Sequence, residues 1–275
     1  MEKKSSKTLW VIILIISIII FLVCGGFLVK YFFFDTASTI ERVPSTTAQE
    51  TEDKTEVETQ PPTEPETQRF SETTASLPEN DSVNFKELMD INPDIYAWIY
   101  IPNTNVDYPV AQSGNDNDDS FYLSHNVYKN YQFSGTIYSE KQNSRDFTDP
   151  VTVLYGHNML NGSMFATLHK FNDKEFFDEN NTMFIFTKDK ILTYLIYSAF
   201  QYDDRHILNS LDMTDSTNFR LYLDTTLTQR PYYCNVRENI ELTTNDRILT
   251  LSTCMPGGGN VRYLVQGVLV NEQDV

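Results

Sequence analysis

Arg247-Ile-Leu-Thr-Leu-Ser-Thr-Cys254-Met-Pro-Gly-Gly-Gly-Asn-Val-Arg262 is a β-type run broken by a loop that cannot continue it. Ile248 to Thr253 alternate apolar and β-branched residues in the manner of a strand. Proline and three glycines then stop the strand and leave open space beside the Cys254 sulfur. A structural core cysteine more often lies mid-strand, so a cysteine at a strand end beside a glycine-rich loop is a candidate nucleophile. Val261–Val270 is again strand-like, and a strand–loop–strand hairpin would return Arg262 to the neighbourhood of Cys254. An always-charged guanidinium with several donors suits a developing oxyanion. A surface carboxylate partner is the plainer alternative for the same arginine.

Outward from this hairpin, the chain repeats one kind of element. The runs 95–101, 106–110, 135–139, 151–155, 182–187 and 191–200 are short, rich in β-branched and aromatic residues, and bounded by Asn, Asp, Gly, Pro or Ser. With 247–253 and 261–270 they make about eight strands. Phe85–Ile91 reads as a short amphipathic helix ending before Pro93. Residues 163–169, continued through 173–180, and residues 216–229 also read as helical. Many strands with few intervening helices predict a mainly β fold with peripheral helices, a barrel or sandwich.

A thiol nucleophile needs a base or cationic partner, because the thiolate is the reacting form. Of the four histidines, His157 follows the apolar strand 151–155 through Gly156 and so also stands at a strand exit. His125, His169 and His206 lie in polar or helical sequence where solvated side chains are expected. No HExxH, CxxC or close His/Cys cluster is present, so no metal site and no cofactor are expected. Cys234 and Cys254 would form a disulfide if both were structural; a domain of this size can bury a sufficient core without one.

The N-terminal third has a different character. Residues 9–29 carry no charge and are long enough to cross a bilayer as a helix, after a tail (1–8) with Lys3, Lys4 and Lys7 against one acid. Basic flanks stay cytoplasmic, which predicts a single-pass membrane anchor with the remainder outside the cell. Residues 35–82 are rich in Thr, Glu and Pro, with twelve acids against three bases. Too few apolar groups are present to offset ordering entropy, so a disordered, extended spacer is expected there. The folded unit then comprises 83–275. A net charge of −17 offers no basic footprint for nucleic acid.

Taken together, these residues resemble the sortases. Thr250-Leu251-Ser252-Thr253-Cys254 matches the TLxTC signature of that family, Arg262 falls at the position of its arginine, and Tyr155-Gly156-His157 matches its strand-end histidine. Ile101-Pro102-Asn103-Thr104-Asn105-Val106-Asp107-Tyr108-Pro109-Val110 is similar to the family's early strands. Gly156-His157-Asn158-Met159, residues 121–126 and residues 162–165 are closest to class B members. The loop after Cys254 departs from some of these members in lacking an acidic residue. The resemblance implies a closed eight-stranded β-barrel, an N-terminal helical portion, and a long helix between two late strands. It further implies a cysteine transpeptidase with Cys254 as nucleophile, His157 as proton carrier and Arg262 as oxyanion partner. Ser252, Thr253 and Leu123 would line the substrate groove. Substrates would be secreted proteins or pilins bearing a C-terminal sorting signal cleaved after threonine. The acceptor would be an amine of a lipid-linked peptidoglycan precursor or a pilin lysine. A hydrolytic cysteine peptidase and a non-catalytic extracellular adhesion or sensor domain are the competing readings.

Overall fold

A computed structural model describes residues 3–29, 70, 73, 75–77, 83–114, 117–257 and 259–275, with side chains of the first helix described for 10–26 only. The strands are β1 (Ile95–Tyr100), β2 (Asp107–Gln112), β3 (Ile137–Ser139), β4 (Val151–Tyr155), β5 (Thr182–Thr187), β6 (Lys190–Asp203), β7 (Cys234–Val236), β8 (Ile248–Cys254) and β9 (Val261–Asp274). They hydrogen-bond in the order β5-β1-β2-β3-β4-β8-β9-β6. β6 also pairs with β5, through Thr182↔Leu195 to Phe186↔Ile191, and this closes an eight-stranded barrel. Closure removes the free sheet edges. The expected barrel is therefore present. The second half of β6 carries β7 as an additional short strand, through Ser198↔Val236 and Phe200↔Cys234. Residues 234–236 are too brief to give a sequence signal, and β7 was not expected.

The helices are α1 (Lys3–Val29), α2 (Phe85–Ile91), α3 (Lys174–Glu179), α4 (Ile207–Ser210) and α5 (Ser216–Thr226). Local chemistry sets their starts: the Asn84 side chain accepts from Glu87 N, and Asp215 accepts from Thr217 N and Asn218 N. Two expectations need correction. Residues 166–172 form a 3-10 turn rather than an α-helix, and the late helix stops at Thr226. The 3-10 turn closes one end of the barrel, where tertiary packing of Leu168 and Phe171 outweighs helical propensity.

Alternation along each strand separates two cores. Leu154, Leu249, Leu251, Tyr263 and Val265 fill the barrel interior with Ile99, Ile185 and Phe165. Val151, Val153, Ile248 and Leu264 face outward beneath Phe219, Tyr222 and Leu223 of α5. The buried Gln266 pins α5 to this wall: its Nε2 donates to Tyr222 Oη (2.6 Å) and Thr250 Oγ1 (3.0 Å), and its Oε1 accepts from Tyr197 Oη (3.0 Å). A third cluster packs α2 against β1 and β5 and also takes in Ala75 and Leu77.

The spacer expected over 35–82 lies mostly outside the described residues. Three described positions within it, Phe70, Ala75 and Leu77, pack against the folded unit. Phe70 packs against the outer core, and Ala75 N donates to Thr182 Oγ1 at 3.2 Å. On α1, the side chains from Trp10 to Val23 are exposed. No helix among the described residues is long and apolar enough to cross a membrane.

Candidate active site

Three chain segments converge at one barrel end, and the register explains why. β8 and β9 pair antiparallel, so Cys254 lies directly across from Arg262. The Arg262 guanidinium Nη1 stands 3.6 Å from Cys254 Sγ. Beyond Cys254 the hairpin turns through Gly257 (φ +89°) and Gly259 (φ +96°), backbone conformations that L side chains rarely adopt. β4 runs parallel to β8, with Tyr155 paired to Ser252. Two residues further along both chains bring His157 abreast of Cys254, and Gly156 N still donates to Ser252 O at 3.2 Å.

Gly156 is required by close approach. A Cβ at this position would meet Ile137 Cδ1 at 2.5 Å and Phe165 Cδ2 at 2.7 Å. His157 is therefore held against the Phe165 layer, and Phe165 N donates to His157 O at 2.9 Å. The His157 ring stacks on Phe133 (5.2 Å between centroids), and its Nε2 lies 2.8 Å from Leu123 O. A carbonyl only accepts, so the proton sits on Nε2 and the neutral ring leaves Nδ1 as an acceptor. Burial pushes the imidazole below its ordinary 6.5, with the Leu123 carbonyl opposing in part, so the neutral form dominates at pH 7.

Strand alternation divides the residues expected to line a groove. Thr250, Ser252 and Cys254 share the outer face; Leu249, Leu251 and Thr253 point into the barrel. Ser252 thus lies on the nucleophile's side, although only 4% exposed. Thr253 does not: its hydroxyl is buried with no hydrogen-bond partner, on the interior face beside its cross-strand neighbour Tyr263. Adjacency in sequence to Cys254 placed it on the opposite side. Leu123 stands at the rim, 40% exposed, and its carbonyl meets His157.

The three histidines expected to be solvated all have partners. His169 Nε2 lies 3.0 Å from Cys254 O, and its ring rests on Tyr263 at 4.9 Å. His125 Nδ1 meets Phe121 O at 2.8 Å, with its ring stacked on Phe121. His206 caps α4 through Nδ1 and pairs through Nε2 with Glu140 at 2.6 Å. Sequence reasoning also missed Asn158, whose Nδ2 donates to Cys254 O at 3.1 Å. Only its position next to His157 could have signalled it. Cys234 and Cys254 are both free thiols, which removes the disulfide alternative. Among the described residues no three His, Cys, Asp or Glu side chains are grouped to hold a metal ion.

A thiol, a guanidinium across the hairpin and a neutral imidazole abreast make a constellation suited to acyl transfer through a thioester. Comparison with known proteins agrees. Residues 99–270 match the model of the sortase domain. The chain is 35% identical over 192 residues to sortase B of Listeria monocytogenes, covering 68% of this chain and 74% of that one. The crystal structure of Clostridium perfringens sortase B superposes with a TM-score of 0.60 at 35% identity, covering 68% of this chain and all of the other. A Streptococcus pyogenes class B sortase involved in pilus biogenesis gives a TM-score of 0.57 at 29% identity, covering 68% and 98%.

Proposed function

Because the chain belongs to the sortase family and is most like its class B members, we propose that it is a transpeptidase that uses Cys254 to move a sorting-signal acyl group onto an amine. The observation that carries this reading is the 3.6 Å approach of the Arg262 guanidinium to Cys254 Sγ, next to a neutral His157.

The Cys254 proton passes to Nδ1 of His157, the ring nitrogen left open by the Leu123 carbonyl. The thiolate adds to the threonine carbonyl of the signal, and Arg262 donates to the oxygen as it gains charge. Collapse breaks the amide that follows the threonine; the leaving amine takes the proton from His157, and a thioester remains on Cys254. An incoming amine then adds, gives its proton to Nδ1, and expels the thiolate with formation of the new amide. The thioester retains the energy of the broken peptide, so no nucleotide is needed. Ser252 and Leu123 line the groove on the nucleophile's side; Thr253, turned into the barrel, does not.

We assign the acceptor amine to the lipid-linked cell-wall precursor and the substrate to secreted proteins bearing a C-terminal sorting signal. The uncharged run 9–29 would span about 31 Å as a helix, which supports a membrane anchor near both partners, with the catalytic unit outside. The acidic stretch before Phe70 would act as the tether.

The test incubates full-length protein in detergent with threonine-containing sorting-signal peptides and either a short glycine amine or a pilin-type lysine peptide. Products are read by mass spectrometry, with Cys254→Ala alongside. Ligation to the glycine amine that disappears in Cys254→Ala is the expected result. Ligation to lysine alone would move the acceptor to a pilin, and hydrolysis alone would make the enzyme a peptidase. Equal turnover by Cys254→Ala would sink the mechanism.

A further inference from the structure

We infer that His169 is a positioning residue for the nucleophile: its Nε2–H holds the Cys254 carbonyl and thereby fixes the orientation of the thiol. The inference rests on the assignment of Cys254 as nucleophile and concerns how that residue is kept in place.

Cys254 is the last residue of β8, and past it one backbone bond, Met255 N to Val261 O at 3.2 Å, continues toward the turn. Nothing stands within 4 Å of a Cβ built on Gly257 or Gly259, so those turn positions have no close packing. The loop holds the strand end through Met255, which packs against the core, while the glycine turn beyond it adds no close contact. Further support comes from the chain following β4. Asn158 Nδ2 and His169 Nε2 both reach the Cys254 carbonyl, at 3.1 and 3.0 Å. The same segment begins with His157, so one piece of chain sets the imidazole beside the thiol and grips the peptide that bears the thiol.

His169 is itself well seated. It sits in the 3-10 turn Ala166–Asn172 between the fully buried Leu168 and Phe171, with its ring against the fully buried Tyr263. Tyr263 is paired in the ladder with Thr253, one residue before the nucleophile. The carbonyl requires a donor, which fixes the His169 proton on Nε2. His169 meets the Cys254 backbone rather than Sγ, so its role is to orient and not to exchange protons in the reaction.

Two substitutions in the full-length protein separate this role from packing. His169→Phe keeps a ring on Tyr263 but has no donor; His169→Gln keeps a donor. Three quantities are measured: the iodoacetamide alkylation rate of Cys254 by peptide mapping, kcat and KM for ligation of a sorting-signal peptide to a glycine amine, and the melting temperature. Cys234, also a free thiol, serves as the internal reference. His169→Phe should slow Cys254 alkylation and lower kcat, each about tenfold, with KM within about twofold and Cys234 unaffected. His169→Gln should restore most of both. Wild-type alkylation and kcat in His169→Phe would overturn the inference, as would losses that merely follow the melting temperature. Ligation that survives Cys254→Ala would instead overturn the nucleophile assignment, so the two failures are distinguishable.

Discussion

Replacing Gly156 with alanine tests whether the packing behind His157 sets its position. The new methyl carbon would lie 2.5 Å from Ile137 Cδ1 and 2.7 and 2.8 Å from Phe165 Cδ2 and Cγ, whereas ordinary contact starts at 3.4 Å. The deficit is 0.9 Å against Ile137 (3.4 less 2.5) and 0.6 to 0.7 Å against Phe165 (3.4 less 2.8 and 2.7). Ile137 and Phe165 are both 0% exposed, so neither side chain can yield by swinging into solvent. Overpacking of this kind costs about 1–3 kcal/mol, and at roughly 2–4 °C per kcal/mol the melting temperature should fall by about 2–12 °C. Activity should fall further than stability does. The displaced Phe165 is bonded through its N–H to His157 O, and a misplacement near 1 Å can lower a rate about 100-fold. The assay is calorimetric melting together with kcat/KM for peptide–amine ligation, measured well below the transition. Phe165→Leu opens space on the same side, so the double variant should recover part of both losses instead of summing them. A Gly156→Ala protein that melts within about 1 °C of wild type and ligates within about twofold would refute the reasoning.

Other perturbations probe other links. Gln266→Leu removes three hydrogen bonds beneath α5 and should destabilise the fold by about 2–4 kcal/mol in chemical denaturation; an unchanged midpoint would mean the network contributes nothing. Arg262→Lys replaces a planar fork with a point charge and should lower kcat about 100-fold at nearly constant KM, whereas a KM effect alone would place Arg262 in substrate binding only. Burial holds His157 and His169 below 6.5, so both bind protons more readily in the unfolded chain. Their stabilisation is complete above pH 6.5 and is lost as pH falls through the folded values; the melting temperature should decline below neutrality, less steeply in His169→Gln. Glu272, held below 4.5 by its hydrogen bond from Arg247, loses its contribution in a separate window beneath that value, which Glu272→Gln should abolish.

Much of the site was legible because its elements are local in sequence. The run Ile248–Thr253 with Pro256 and the glycines marks a strand and its end within one short segment, so Cys254 and Arg262 had to face each other across a hairpin. The strand 151–155 and Gly156 marked His157 in the same way. Periodicity likewise carried eight of the nine strands, while residues 234–236 were too few to show a pattern.

Sequence by itself thus determined the strand inventory, the order of the three site residues and the hairpin that joins two of them. Tertiary structure decided what depends on register and on which face a side chain takes. Parallel pairing of β4 with β8 joins segments about a hundred residues apart, and no local propensity encodes such a pairing. The two-residue repeat of a strand sends Thr253 into the barrel while its neighbour Cys254 faces out, a parity visible only once the interior side is known. Closure of the barrel end by the 3-10 turn turned His169 from an expected surface group into a partner of the Cys254 carbonyl. A hydrogen bond between residues 85 positions apart leaves no trace in the composition around either one.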